Sequence, residues 1–534
     1  MCSIGYGAAL VVLLLSAIVS YIFVMSPTAD EMANNGFVFI SNAAKAHVVC
    51  QRASKFVRRV LYVKVKDYSE NTLPVLSRQI ENVYAKASAQ YGHLDIRLML
   101  KPSGTIKVVT NTPIDMILYD SELSKDIDIL KNSVSTVQSG YKMQSIDCQE
   151  ATNEAPLEKI QTYENVALGG TFDRLHNGHK ILLSQAALRA TKLVTVGVTD
   201  VNLIQSKTLY ELIQPVEVRM KEVLNFLKDI NPDLEYNVFP LKDLYGPTKD
   251  DPKYQLIIVS EETLRGATKI NEKRVENGLR PMDVHVIGLA EDEQAQGSQE
   301  EENKISSSNQ RIRKLGTLIK PPTPNPHIPD WPYVIGLAGG IGSGKSNITK
   351  NLRDMGAAIV NCDIIAHELY KPGLPLNSTL SETFGEDIIM ETGEVDRKKL
   401  GKIVFSDKEQ LEKLNSLVWP AVIEEAQRRI HALGEEGYRV VVMEAAVMVR
   451  AKWFKACHQV WAVIVPRDEA IKRIQDRDNL SPEDAANRVD SQVSNQEHVA
   501  LANVVFSPLW SYKHTRGQVE RAWKQLQEFL NSRK

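Results

Sequence analysis

GGTFDRLHNGHK, residues 169–180, sets a glycine pair, a threonine, an acid and two histidines within twelve positions. The apolar run Val166, Ala167, Leu168 precedes it and Ile181, Leu182, Leu183 follow it. This pattern predicts a short strand, a tight turn and a helix that begins near the second histidine. A helix N-terminus offers unpaired N–H groups and the positive end of its dipole, so an anion is the expected guest. His176 and His179 add donors able to bind and partly neutralise a triphosphate, with Thr171 beside them. Zinc ligation is the rival reading. A spacing of three with no cysteine or third histidine nearby makes it weak.

Outward from this turn, strands alternate with helical stretches. KLVTVGVTD, YQLIIVSEE and DVHVIGLAE read as buried parallel strands, and VEVRMKEVLNFLKDI reads as an amphipathic helix. EDEQAQGSQEEENK is acidic and predicts a mobile loop. Just beyond it, KISSSNQRIRKLG holds Lys304, Ser306, Ser307, Ser308 and Arg311, hydroxyls followed by arginine, which make a second phosphate clamp. Together these features predict a nucleotidyltransferase domain over 160–318, in which a nucleophile attacks the α-phosphorus of ATP and pyrophosphate leaves. A phosphate nucleophile is largely dianionic at neutral pH, so no general base is required and catalysis becomes positioning plus charge stabilisation.

Six prolines in LIKPPTPNPHIPDWPYV predict a stiff linker over 319–332 between two globular units. A second α/β series follows over 333–534, with strands YVIGLA, AAIVNCD, RVVVMEAA and QVWAVIVP. Directly after its first strand stands Gly339-Gly340-Ile341-Gly342-Ser343-Gly344-Lys345-Ser346, a P-loop in the strand-to-helix context the pattern needs. Backbone N–H groups wrap the phosphates, Lys345 reaches the β/γ oxygens and Ser346 coordinates Mg²⁺. Asp363, at the carboxyl end of the next strand, can accept the proton of a substrate hydroxyl; its structural alternative is a helix N-cap. Arg473, Arg477 and Arg488 lie on helical segments around a turn, a hairpin able to close over ATP as a lid.

The remaining sequence sets bounds. At 534 residues the chain is too long for one core. Lys plus Arg number 64 against 66 Asp plus Glu, which gives no basic excess for nucleic acid. Five scattered cysteines without a CxxC pair favour a reducing compartment. The first 29 residues carry no charge, and Ile4–Met25 is an apolar run of 22, long enough to span a bilayer. Residues 1–30 are therefore expected to be a membrane anchor, with a buried core helix as the alternative. Seven Lys or Arg and no acid between Met32 and Lys66 place the following chain on the cytosolic side. Residues 36–155 show short apolar runs such as RRVLYVKVKDY, LDIRLML and TIKVVTN, which predict a small mixed domain of unassigned role. No internal repeat is evident.

GGTFDRLHNGHK, SKTLYELIQPVEVRM, SEETLRGATKINEKR and KISSSNQRIRKLG resemble the phosphopantetheine adenylyltransferase half of the animal bifunctional coenzyme A synthases. IGLAGGIGSGKS, NCDIIAHELY, DRKKLGKIVF, LNSLVWPAVI and RDNLSPEDAANRVDSQ resemble their dephospho-CoA kinase half. The resemblance runs in order from about residue 160 to the C-terminus and extends weakly into RRVLYVKV and LDIRLML. It implies adenylyl transfer from ATP to 4′-phosphopantetheine, then phosphorylation of the dephospho-CoA 3′-hydroxyl, with ATP and Mg²⁺ as cofactors. His179 would stabilise the pentacovalent α-phosphorus, Lys207 and Arg219 would bind substrate phosphates, and Gly170, Thr171, His176, Ser306, Ser307, Ser308 and Arg311 would hold ATP. The expected location is the outer mitochondrial membrane facing the cytosol, and the cytoplasm. One departure stands in EAAVMVRAKW, where Arg450 and Lys452 replace the usual acid and glycine. The expected fold is α/β: two tandem parallel-sheet domains, Rossmann-like nucleotidyltransferase then P-loop kinase, after an anchor and a small N-terminal domain. A membrane-tethered scaffold with degenerate loops, or a fused cytidylyltransferase and nucleoside kinase, are the competing readings; both phosphate loops are complete.

Overall fold

Short apolar runs bounded by turn residues become parallel strands buried on both faces. A computed structural model describes residues 32–66, 72–92, 94–100, 107–148 and 159–533. The segment expected as an anchor lies outside them; among the described residues no helix is long and apolar enough to cross a membrane. The strands form three five-stranded sheets, and the chain divides into two compact units, Met1–Gln310 and Arg311–Lys534.

In the first unit, β1 (Ala33–Ile40), β2 (Val57–Val65), β3 (Asp95–Met99), β4 (Ile114–Asp120) and β5 (Val137–Ile146) pair in the order β3-β2-β1-β4-β5. Every pair is parallel, so the mixed architecture expected for this region is corrected to a parallel α/β layer. The second sheet comprises β6 (Tyr163–Gly170), β7 (Ala190–Thr199), β8 (Glu235–Leu241), β9 (Leu256–Ser260) and β10 (Asp283–Ile287), in the order β10-β9-β6-β7-β8. Read from its own first strand, this is the same doubly wound order as the first sheet. The fold therefore contains a topological repeat where the residues show none. One apolar cluster runs through both sheets, from Val38 and Leu61 to Val196 and Ile258.

The switch point of the first sheet is closed. Beyond β1, the buried Lys45 ammonium is paired with Asp120 at 3.0 Å and Glu122 at 2.8 Å. Ser41 Oγ donates to the same two acids. Acids thus fill the place at which the second sheet carries its histidine turn.

In the second unit, β11 (Tyr333–Ala338), β12 (Ala358–Asn361), β13 (Val440–Glu444), β14 (Gln459–Val463) and β15 (Val504–Phe506) pair in the order β12-β13-β11-β14-β15, with the phosphate turn after the central β11. The proline-rich stretch belongs to this unit. The Gly316 and Ile319 N–H groups donate to Val505 and Asn503 carbonyls, Asn325 Nδ2 to the Lys455 carbonyl, and Trp331 Nε1 to the Gly434 carbonyl. A segment whose prolines lack donors still docks through the residues between them.

Candidate active sites

The first site is built where β6 ends. Phe172 and Arg174 have φ of +50° and +49°, a left-handed backbone that non-glycine residues adopt only when the surroundings hold them there. The holding groups are visible. Asp173 is buried, and its Oδ1 accepts from the Gln214 N–H at 3.0 Å. The Arg174 N–H donates to Gln214 Oε1 at 2.9 Å, and its guanidinium pairs with Asp173. A Cβ at Gly170 would meet the Phe172 ring at 3.1 Å, a tight contact that the ring would have to relieve.

The turn delivers its chain into helix Asn177–Arg189 with His176 as the extended N-cap residue. The His176 and His179 rings stack with centroids 3.7 Å apart, and His179 also packs on Phe172 at 5.1 Å. Ser307 Oγ lies 3.3 Å from His176 Nε2 and donates to the Asp173 carbonyl at 3.1 Å. Thr171 and Thr199, at the ends of adjacent strands, are linked through their hydroxyls at 3.3 Å. Arg219 is 1% exposed. It donates through NH1 to the Thr171 carbonyl at 2.7 Å and the Thr199 carbonyl at 2.9 Å, and through Nε to the Gln214 carbonyl at 2.8 Å. Burial pushes its pKa down, with Asp173, Asp200 and Glu217 opposing. In this arrangement Arg219 ties together the loops that carry Thr171 and Thr199.

Ser306, Ser307, Ser308 and Arg311 sit at or within helix Ser307–Lys314; Ser306 Oγ accepts from the Asn309 N–H at 3.1 Å, and Arg311 is buried. Lys207 is exposed in the segment after β7. The acidic stretch expected to be mobile is instead closed on itself. Glu291 bridges Lys304, the Asp292 N–H donates to the Asn303 carbonyl at 2.9 Å, and Asn309 Nδ2 donates to Asp292, Glu302 and Lys304 oxygens. Asn309 satisfies acceptors that charge composition alone would leave to water.

The second site follows β11. Gly339 has φ +155° and a Cβ there would meet the Val463 carbonyl at 2.6 Å, so the turn excludes any side chain. Lys345 opens helix Lys345–Asp354, and its Nζ donates to the Gly339 carbonyl at 2.7 Å and the Gly340 carbonyl at 3.1 Å. Burial pushes its pKa down, while Glu444 and Asp363 raise it. A cavity of about 500 Å³ is bounded by this turn together with Ser346, Asp363, Glu444, Arg473, Arg477 and Gln492.

Asp363 is not the helix cap. Asn361 fills that role, its Oδ1 accepting from the Ile364 N–H at 2.9 Å, which leaves the exposed Asp363 carboxylate facing the cavity. The arginine-bearing segments form a hairpin: helices Arg467–Asp478 and Pro482–Asp490 flank Asn479 at φ +51°. Arg473 donates to the Pro508 carbonyl at 2.6 Å and Arg477 pairs with Asp478 at 2.7 Å. Arg488 pairs with that same Asp478 at 3.3 Å rather than lining the cavity.

Two cavity residues were missed from the sequence. Glu444 ends β13 and is 7% exposed; its Oε2 accepts from Asn361 Nδ2 at 3.0 Å. Burial pushes its carboxyl up, with Lys345 opposing. Gln492 Oε1 accepts from the Ile341 N–H at 2.7 Å, holding the phosphate turn from the lid side. An acid closing an apolar run on the strand beside β11 was the available signal for Glu444.

Comparison with known proteins falls on these same two sites. A cytidylyltransferase-like family model matches residues 167–313 and a dephospho-CoA kinase model matches residues 333–508. A dephospho-CoA kinase of Carboxydothermus hydrogenoformans is 38% identical over 186 residues, covering 35% of this chain and 90% of its own. A phosphopantetheine adenylyltransferase of Saccharomyces cerevisiae is 39% identical over 243 residues, covering 40% of this chain and 78% of its own. Among solved structures, a dephospho-CoA kinase from Campylobacter jejuni aligns with 36% of this chain and 96% of its own, at 25% identity and a TM-score of 0.30. The chain belongs to the bifunctional coenzyme A synthases.

Within the kinase domain, the departure at Arg450 and Lys452 has a structural counterpart. Lys452 has φ +58° and precedes the short helix Trp453–Ala456. Lys452 thus stands in a left-handed conformation that glycine adopts freely. In the adenylyltransferase domain the central pair of histidines, Thr171, Arg219 and Ser307 are brought together.

Proposed function

We propose that the chain carries out two consecutive ATP-dependent reactions. In the first, a phosphate oxygen of 4′-phosphopantetheine attacks the α-phosphorus of ATP; dephospho-CoA forms and pyrophosphate leaves. In the second, the 3′-hydroxyl of dephospho-CoA attacks the γ-phosphorus of another ATP; CoA and ADP form and the hydroxyl proton is released. The observation that carries the pairing is that two different family models match adjacent parts of one chain, each with its phosphate turn complete. Incubating the purified protein with 4′-phosphopantetheine, ATP and Mg²⁺ should yield dephospho-CoA and then CoA by mass spectrometry; absence of both products would refute the reading.

In the first reaction His179, stacked on His176, donates to the α-phosphate oxygens as the fifth bond forms. Thr171 and Ser307 orient the triphosphate, and Lys207 and Arg219 bind substrate phosphates. The buried Arg219 contributes through the loops it ties together and through its second terminal amino group, which makes no hydrogen bond among the described residues.

In the second reaction Lys345 and the turn amides hold the β/γ-phosphates, and Arg473 and Arg477 neutralise charge on the transferred group. The oxygen donors Ser346 and Glu444 around one cavity would suit Mg²⁺, a hard cation that prefers one or two carboxylates plus phosphate oxygens. Among the described residues no group of three or more His, Cys, Asp or Glu side chains could hold a metal by itself, which fits an ion held jointly with the nucleotide. When bound there, Mg²⁺ would offset negative charge on the nucleotide phosphates. Asp363 accepts the 3′-hydroxyl proton. Asp363→Asn should slow phosphoryl transfer on the order of 100-fold while leaving ATP affinity nearly unchanged. Steady-state kinetics with supplied dephospho-CoA measure this, and a wild-type rate would exclude Asp363 as the base.

Residues 1–30 are proposed as a membrane anchor at the outer mitochondrial membrane, with both catalytic domains facing the cytosol. The uncharged run Ile4–Met25 supports this. So do the exposed Arg52, Lys55, Arg58 and Arg59 near the start of β1, where Arg58 Nε donates to Asn34 Oδ1 at 2.7 Å. Deleting residues 1–30 should release an active enzyme from membranes; continued sedimentation with membranes would contradict the anchor. Protection of the catalytic domains from protease in intact mitochondria would contradict the orientation.

A further inference from the structure

The helix that carries His179 is enclosed beyond its first three residues, with every residue from Lys180 to Arg189 buried. Much of that enclosure comes from the first domain. Helix Leu73–Gln90 lies against it: Ser77 Oγ donates to Gln185 Oε1 at 2.9 Å, Gln185 Nε2 donates to the Ser77 carbonyl at 2.9 Å, and Asn177 Nδ2 donates to Ser88 Oγ at 2.8 Å.

A chain of alternating charges begins beside the catalytic histidine. Lys180 is 6% exposed, and its ammonium donates to Asp95 Oδ1 at 2.6 Å. Asp95 Oδ2 accepts from Arg97 NH2 at 2.9 Å. Arg97 NH1 pairs in turn with the buried Asp229, on the helix Val216–Ile230 that also carries Arg219. Asp229 Oδ1 accepts from the Asn111 N–H at 2.9 Å, and Tyr62 OH donates to Oδ2 at 3.0 Å. Burial pushes the Asp95 carboxyl up, but Lys180 and Arg97 outweigh it and hold it below the usual carboxylate range. β3 thus acts as a strut between the start of one site-bearing helix and the end of the other.

We propose that Asp95 of the first domain is a positioning residue for adenylyl transfer, fixing the first turn of helix Asn177–Arg189, and with it the His179 ring, through Lys180. A buried ammonium must keep an anionic partner or move toward water. Lys180 follows His179 directly, so any such movement displaces the imidazole. A shift of about 1 Å in a reacting geometry can cost on the order of 100-fold in rate. The first domain, whose own switch point is closed by Lys45 and Asp120, is thereby a structural part of the adenylyltransferase.

This inference rests on the reading of His179 above, and the experiment separates the two. Asp95→Asn, Lys180→Met, the double variant and His179→Ala are compared in the full chain, with kinase turnover on supplied dephospho-CoA as the internal standard. The expected result is a fall of kcat for adenylyl transfer, on the order of 10- to 100-fold, in each of Asp95→Asn and Lys180→Met. KM for ATP should stay within about twofold, kinase turnover should be unchanged, and the double variant should be no worse than the poorer single. A wild-type kcat in Asp95→Asn, effects that multiply in the double variant, or a loss confined to KM would overturn the proposal. Should Asp95→Asn fail to fold, Lys180→Met decides alone, because Asp95 keeps Arg97 as its partner; a wild-type kcat there refutes the link. If His179→Ala is fully active, the site reading itself fails. If only His179→Ala is inactive, the positioning role fails and the site stands.

Discussion

Lys345→Ala is expected to lower kcat/KM of the kinase reaction on the order of 1000-fold, with KM for ATP raised and kcat reduced together. The ammonium donates to the Gly339 and Gly340 carbonyls inside the turn it serves. On bound ATP it would meet the β/γ oxygens, contacting the nucleotide before and during transfer. Its loss is therefore felt in the ground state and the transition state alike, which distinguishes it from Asp363. It also removes a cation that faces Glu444 and Asp363 in the cavity that takes the phosphates. Fed 4′-phosphopantetheine and ATP, the variant should stop at dephospho-CoA and accumulate it. An unaltered KM for ATP would show that Lys345 does not meet the nucleotide.

His179→Ala is expected to reduce adenylyl transfer on the order of 100- to 1000-fold, the usual cost of removing one donor aimed at a developing oxyanion. Kinase turnover should persist. The apolar cluster under the histidine turn runs from Val38 to Ile287, whereas the kinase sheet is packed by two clusters of its own around Val441 and Val463. Product analysis with phosphopantetheine, and separately with dephospho-CoA, reads both activities from one preparation. Equal loss of the two would mean the substitution acts through folding.

The legible parts of the chain were those where chemistry and periodicity coincide. GGTFDRLHNGHK and GGIGSGKS place strand, turn and helix within a few residues, and VEVRMKEVLNFLKDI matches helix Val216–Ile230 residue for residue. The first domain was harder to read because its repetition is one of strand order, while the residues that mark the turn in the second sheet are replaced by Ser41, Lys45 and Asp120. β8 escaped notice because Pro240 interrupts it, which is tolerated at the sheet edge where it lies. Long-range partners hid the rest. Gln492 reaches the phosphate turn from 151 positions away, and the acidic loop is tied in part by Asn309, which lies beyond it. Composition predicts a stiff linker from six prolines, but backbone bonds to Asn503 and Val505 depend on residues far along the chain.

Because one apolar cluster joins the first two sheets, the two catalytic portions are not equally transferable between genes. A fragment beginning at Leu315 retains the Leu315 carbonyl as acceptor for Arg521, the Leu318–Val504 bridge and the docked prolines, so the kinase can travel as a self-contained cassette. A cut ahead of β6, by contrast, would bare the Ser184 and Gln185 side of the histidine helix and strand Lys180 and Asp229 without their counter-ions. Recombination that moves the adenylyltransferase would have to carry the first domain along, and selection on the enzyme would then preserve both.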